Sequence, residues 1–145
     1  MPAREPDSQA MMNLLKQGSF PNGDQFSGAF LTDSIREFFD QVFFERQLVR
    51  AEVIRDAGIS RTYGYQILDG TRIGGRDYYL SIAFAMRLDL RTTQRMLAVT
   101  HSGGLHPLIK RDAAIIFAIN HGYDQMRLWQ FLTELGLEPL DTNIG

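Results

Sequence analysis

Apolar residues in this chain recur at the spacing of a helix and almost nowhere at the spacing of a strand. Ile35, Phe38, Phe39, Val42 and Phe43 fall at i, i+3, i+4, i+7 and i+8, one apolar stripe on a 3.6-residue repeat. No stretch of period-2 alternation is long enough for a half-buried strand. Glycines close the apolar patterns at Gly18, Gly58, Gly70 and Gly103-Gly104. The fold class read from this is all-α.

The start and stop signals place the helices. Ser8 caps a short one carrying Met11, Met12, Leu14 and Leu15, and residues 18–30, with an Asn22-Gly23 pair, read as a loop. Thr32 or Ser34 caps the Ile35 helix, and Ser34 with Glu37 has the capping-box spacing. Further helices are expected at 50–57, 61–69, 77–87, 92–100, 111–121 and 124–135. The seven apolar residues from Ala113 to Ile119 predict a helix buried on most sides. The last helix, with Met126, Leu128, Trp129, Phe131, Leu132 and Leu135, is apolar over more than one stripe. It either fills two core faces or leaves a patch for a partner, with Trp129 and Phe131 as the candidate dimer or partner surface.

With 145 residues, 44% of them hydrophobic, the chain can bury the core of one domain with an extension, so global disorder is excluded. No apolar run approaches the ~18 residues of a membrane span, so no membrane partner is expected. The first residues lack the apolar segment of a secretory signal. The absence of cysteine removes disulfides, thiolate metal sites and a cysteine nucleophile, and the default compartment is the cytoplasm. The net charge of −2 conceals an asymmetry: residues 1–44 carry −3, 45–80 carry +1, 81–111 carry +4 and 112–145 carry −4. A basic middle between acidic ends can face a polyanion locally, although Arg87, Arg91 and Arg95 read as a solvated face.

Residues 50–70 hold the most informative motif. Two short helices meet at Gly58, where a tight turn needs positive φ. Ile59 plugs the angle between them, Ser60 caps the second, and Ile67 with Ala57 and Val53 pins it to the first. The run Gly58-Ile59-Ser60-Arg61-Thr62-Tyr63, then Ile67, then Asp69-Gly70-Thr71-Arg72 closely resembles the helix-turn-helix of the lambda repressor and Cro-like (XRE-type) family. The resemblance runs from the helix near residue 33 to about residue 101 and implies a five-helix repressor-like domain. It also implies that the second motif helix enters the DNA major groove. Carried over by position, Arg61, Thr62, Tyr65 and Gln66 face bases, with Arg61 suited to guanine and Gln66 to adenine. Arg50, Arg72 and Arg76 then face phosphates.

The chain departs from the family pattern in four places. Ile54 stands where alanine is usual at the close crossing of the two helices, and Gly64 where a larger apolar residue is usual. The smallness of Gly64 is expected to offset the bulk of Ile54. Asp69 replaces an asparagine near the phosphates, and Ile73-Gly74-Gly75 stands in place of the proline usual after the motif.

Beyond the motif, Gly104-Leu105-His106-Pro107-Leu108 recurs as Gly136-Leu137-Glu138-Pro139-Leu140, a shift of 32, and Phe84-Ala85-Met86 matches Phe117-Ala118-Ile119 at 33. This predicts a C-terminal helical hairpin packed on the preceding one. No metal site is expected from His101, His106 and His121, and His121 reads as a helix C-terminal cap. The glycine-rich segment 70–76 follows a helix and lacks the Gly-Lys-Ser/Thr of a phosphate loop, so no cofactor is expected. No nucleophile–base or paired-carboxylate spacing marks a catalytic residue, and the chain does not read as an enzyme. Phe38, Phe39 and Phe43 read as core, whereas Phe44 lies off the stripe and is expected either to be exposed or to pack against the extension.

The expected organisation is an N-terminal arm at 1–31 with a short helix, a repressor-like domain at 32–102 and a hairpin extension at 103–145. The expected function is sequence-specific binding of double-stranded DNA in transcription regulation, as a dimer on a two-fold site. The alternative is a helical adaptor in which the same fold docks a protein partner and no DNA. An open 61–66 face with continuous positive charge over Arg50, Arg61, Arg72 and Arg76 favours the first. Burial of that face by the arm or the hairpin favours the second.

Overall fold

The computed structural model describes residues 8–18 and 34–142. Among them are eight α-helices and no strand: α1 (Ser8–Lys16), α2 (Ile35–Arg46), α3 (Arg50–Asp56), α4 (Arg61–Asp69), α5 (Arg76–Met86), α6 (Leu90–Val99), α7 (Lys110–Asn120) and α8 (Gln125–Glu134). No helix among the described residues is long and apolar enough to cross a membrane. The chain divides into two compact units, one ending at Asp33 and one beginning at Ser34. In the first, α1 is followed two residues on by Gly18 in the left-handed region. The expected Ser8 cap, the loop glycines beyond Gly18 and the alternative cap Thr32 lie outside the described side chains.

The second unit is built from capped helices around one core. Ser34 accepts from the Glu37 N–H at 3.2 Å, Ser60 from Tyr63 at 3.4 Å, Asp89 from Thr92 at 2.8 Å and Asp124 from Arg127 at 2.8 Å. Each cap satisfies a donor that the first helical turn leaves open. The apolar stripe of α2 is buried as its spacing requires, while Phe44 is 84% exposed. Phe38 and Phe39 meet edge to face with centroids 5.1 Å apart, and Phe39 stacks on the buried Tyr79 of α5. Each such ring contributes about 1.5–3 kcal/mol by burial alone. Helix α2 packs on α4 and α6, and α3 on α4 and α5. Helix α5 lies at the centre, buried on nearly every side. Of the arginines expected to be solvated, Arg95 is half-buried, its guanidinium 5.4 Å from the Phe38 ring centroid across the α2–α6 contact.

Helices α5–α6 and α7–α8 form two hairpins that repeat in a register of 35, not the 32–33 suggested by the sequence match. Arg87 and Gly122 take the same left-handed conformation after α5 and α7, as do His101 and Gly136 after α6 and α8. The bonds that close these helices repeat with the same offset: Leu88 N–H to Ala83 O with Tyr123 to Ala118, and Ser102 to Leu97 with Leu137 to Leu132. The Gly-Leu-x-Pro-Leu match misleads because Gly136 closes α8 directly, whereas Gly104 comes three residues after the equivalent His101.

The hairpins are joined by reciprocal ion pairs. Arg76 reaches Asp112 through two bonds of 2.7 and 3.1 Å, and Arg111 reaches Asp77 through two of 2.9 and 3.1 Å. The His106 N–H donates to Asp112, and the Asp141 N–H to Asp77. Arg76 bonds the Gly104 carbonyl, and Arg111 those of Glu138 and Pro139. Each partner except Glu138 has its counterpart 35 positions away, so the two hairpins embrace about a local pseudo-dyad. Burial pushes the Asp112 carboxyl up. The hydrogen bonds from Arg76 and His106 and the charges of Arg76 and Arg111 outweigh it and hold the group below the usual carboxylate range. The run 113–119 is less enclosed than its composition predicts: Ala114, Ile115 and Ala118 are buried, and Phe117 is 42% exposed.

Candidate nucleic-acid interface

Gly58 supplies the turn between α3 and α4 with φ of +73°, a conformation that costs a residue bearing a Cβ about 1–2 kcal/mol. Ile59 follows it into the core, and the buried Val53, Ala57 and Ile67 hold the helices together. The crossing is as close as the Ile54–Gly64 exchange predicts. A Cβ on Gly64 would lie 2.5 Å from Cγ2 and 2.8 Å from Cγ1 of Ile54, well inside van der Waals contact.

This packing fixes which side of α4 is open. Gly64, Ile67 and Leu68 point inward. Arg61 and Thr62 are exposed, and Tyr65 and Gln66 half-buried. Thr62 and Gln66 lie on the side away from the core, Arg61 stands in line with Leu68 at the exposed first turn, and Tyr65 packs at the edge of the core. The Arg61 guanidinium stands 5.9 Å from the Tyr65 ring centroid. No residue of α7 or α8 makes a hydrogen bond or ring contact with these four side chains among the described interactions. The Gln66 carbonyl accepts from the N–H groups of Thr71 and Arg72 at 3.1 and 3.2 Å and from the Thr71 hydroxyl, which seats the exposed Arg72 just past the helix end. Asp69, also exposed, lies on the open side of α4 with Thr62 and Gln66.

Two of the three expected phosphate arginines are engaged within the protein. Arg50 pairs with Asp40 of α2 and has its guanidinium 4.7 Å from the Phe43 ring centroid. Arg76 is the α5 end of the pair with Asp112, whose side chain is 1% exposed. A guanidinium that satisfies a buried carboxylate cannot turn to a phosphate without stranding that charge, which corrects the assignment of Arg76. Arg50 is held less firmly, on a more exposed partner that Arg36 also approaches at 3.8 Å. The continuous positive surface expected over four arginines is therefore reduced to Arg61 and Arg72.

Sequence reasoning named the arginines but not their partners. Asp40 lies 10 residues from Arg50, and Asp112 lies 36 from Arg76. The one available signal was the Arg-Asp dipeptide at 76–77 and 111–112, 35 positions apart; a third copy, at 55–56, pairs within itself.

The remaining candidates are distributed elsewhere. Trp129 is 53% exposed on α8, while Phe131 is half-buried in a cluster with Phe117 and Tyr123. Two residues apart on a helix, they stand on different sides of it and do not form one surface. The His121 ring stacks on Phe117 at 3.8 Å between centroids, with Nδ1 2.8 Å from the Phe117 carbonyl at the end of α7. The His106 Nδ1 accepts from the Leu108 N–H. Comparison with family models, with curated proteins and with solved structures finds no match for this chain.

Proposed function

We propose that the protein is a cytoplasmic, sequence-specific DNA-binding regulator of transcription that inserts α4 into the major groove and acts as a dimer. The observation that carries this reading is the accessible N-terminal part of α4, where Arg61 and Thr62 are exposed and Tyr65 and Gln66 half-buried, with the exposed Arg72 just past the helix end. Arg61 can donate two bonds to a guanine edge and Gln66 can pair with adenine, while Arg72 and the α4 N-terminus meet phosphate. The Gly64–Ile54 contact supports it too, because a recognition helix must be held rigidly on its scaffold to read base edges.

A second reading is favoured by a specific observation. Asp40 and Asp112 engage Arg50 and Arg76, and Asp69 lies on the open side of α4. A surface with two free arginines and a carboxylate also suits a protein partner, in which case the fold is an adaptor.

Selection of fragmented genomic DNA on the purified protein separates the two. It is run at ~50 mM and ~200 mM salt, because phosphate-driven binding falls steeply over that range. Enrichment of a two-fold-related sequence, lost in the Arg61→Ala/Gln66→Ala variant, is the expected result. No enrichment at either salt by the folded protein refutes DNA reading and favours the adaptor.

A further inference from the structure

The two hairpins share a design but not a fate. On the first, α3 packs on α5 and α2 packs on α6, and Ile82, Met96 and Thr100 are buried. Their counterparts 35 positions on are Phe117, Phe131 and Leu135. Phe117 is 42% exposed, Leu135 39% exposed and Phe131 half-buried. Among the described residues no second pair of helices packs on α7 and α8 as α2 and α3 pack on the first hairpin. The face is ordered from within: Phe117 stacks on Phe131 at 5.4 Å, and Tyr123 meets Phe131 at 90° with centroids 5.6 Å apart. It has the anatomy of an interface, an aromatic centre with a charged rim.

The rim identifies the occupant. Arg127, Phe131 and Glu134 follow one another at i, i+4 and i+7, a single stripe along α8. Arg127 lies 4.9 Å from the Tyr123 ring centroid, and its contact with Glu134 is loose at 3.9 Å, both side chains facing solvent. A stripe that reads positive, aromatic, negative is complementary to itself run backwards. Two copies of α8 crossing antiparallel about a two-fold axis put each Arg127 against the other copy's Glu134, with the Phe131 rings at the dyad. A parallel crossing opposes like charges.

We propose that the Phe117–Phe131 face of α7–α8 is a homodimer interface, occupied by the same face of a second copy with the α8 helices antiparallel. The face is two helices wide and about three turns long, at the small end of specific interfaces, so association in the micromolar range is expected. The inference gives the dimer of the DNA-binding reading its surface, rests on that reading only for its use, and is tested without DNA.

Sedimentation equilibrium of the full chain from about 1 to 200 μM at ~50 mM salt reads the association directly. The wild type is expected to go from monomer to dimer within that range. Arg127→Glu leaves two acids on the stripe and Glu134→Arg leaves two bases, so each variant alone is weakened at least about tenfold by like-charge opposition. An equimolar mixture of the two variants regains the dimer. Trp129→Ala, on the other side of α8, associates as the wild type does. A wild type that stays monomeric, single variants that dimerise like the wild type, a mixture that stays monomeric, or a dimer lost with Trp129→Ala each overturns the proposal. Dimerisation without DNA enrichment leaves this interface standing and removes the DNA reading; enrichment by a protein without this dimer does the reverse.

Discussion

Replacing Gly64 with alanine sets two large effects against each other, and the geometry decides between them. By helix propensity Gly64→Ala in the middle of α4 stabilises by about 1 kcal/mol. The new methyl, however, would sit 2.5 Å from Cγ2 of Ile54, against an ordinary carbon–carbon contact of about 3.5–4.0 Å. Cγ2 is bonded directly to the Ile54 Cβ, and a β-branched residue in a helix has one strongly preferred χ1 rotamer, so it cannot swing aside cheaply. Helices α3 and α4 must separate by about 1 Å, at an overpacking cost of about 1–3 kcal/mol or more. The net expectation is a loss of up to about 2 kcal/mol, a fall of up to roughly 1 M in the urea midpoint. Ile54→Val keeps a methyl at the clashing position and does not rescue Gly64→Ala. Ile54→Ala removes it, so the double variant is more stable than the sum of the single losses by at least ~1 kcal/mol. A stabilised Gly64→Ala, or strict additivity with Ile54→Ala, refutes the close crossing.

Four further outcomes follow from the ion pairs, the caps and the open face. Asp112→Asn removes one partner of a buried pair and is expected to cost about 2–3 kcal/mol in chemical denaturation. The folded pKa values of Asp112 and Asp89 lie below the ordinary carboxylate value, so the unfolded chain binds more protons between the two values. Their stabilisation is complete above about pH 4–5 and is lost as pH falls through the folded values; a urea midpoint unchanged from pH 7 to pH 2 contradicts it. On DNA, Arg72→Ala is expected to lower the slope of log affinity against log salt by about one, whereas Arg76→Ala lowers stability and leaves the slope unchanged. Arg61→Ala is expected to cost ~1–3 kcal/mol on the preferred sequence and to relax the choice at one base pair; unaltered preference removes direct readout by Arg61.

The helices were legible because each is specified locally. The α2 stripe, the Ser34 and Ser60 caps and the Gly58 turn all act within a few residues of one another, and observed boundaries differ from the expected ones by one or two positions. The Ile54–Gly64 exchange was legible for a related reason, since two departures from a known pattern at one crossing have to compensate. What the sequence hid is set by tertiary distance. An arginine's side chain type does not say whether it meets a phosphate or an aspartate 36 residues away, so Arg76 looked like Arg72. The repeat register was hidden because similar letters at Gly104 and Gly136 perform different backbone tasks, while the dissimilar His101 and Gly136 perform the same one. The separation of Trp129 from Phe131 was already set by their spacing of two on a helix; which of them turns toward the aromatic cluster followed only once the core side of α8, marked by Leu128 and Leu132, was known.

The claim that α4 is the reading element is tested most directly by mapping amide chemical shifts as a random-sequence duplex is added at ~50 mM salt, where phosphate contacts alone sustain binding. Shifts confined to Ser60–Gln66, Thr71 and Arg72, and abolished as salt is raised, are the predicted result. Shifts on another element, or none while the protein stays folded, contradict it.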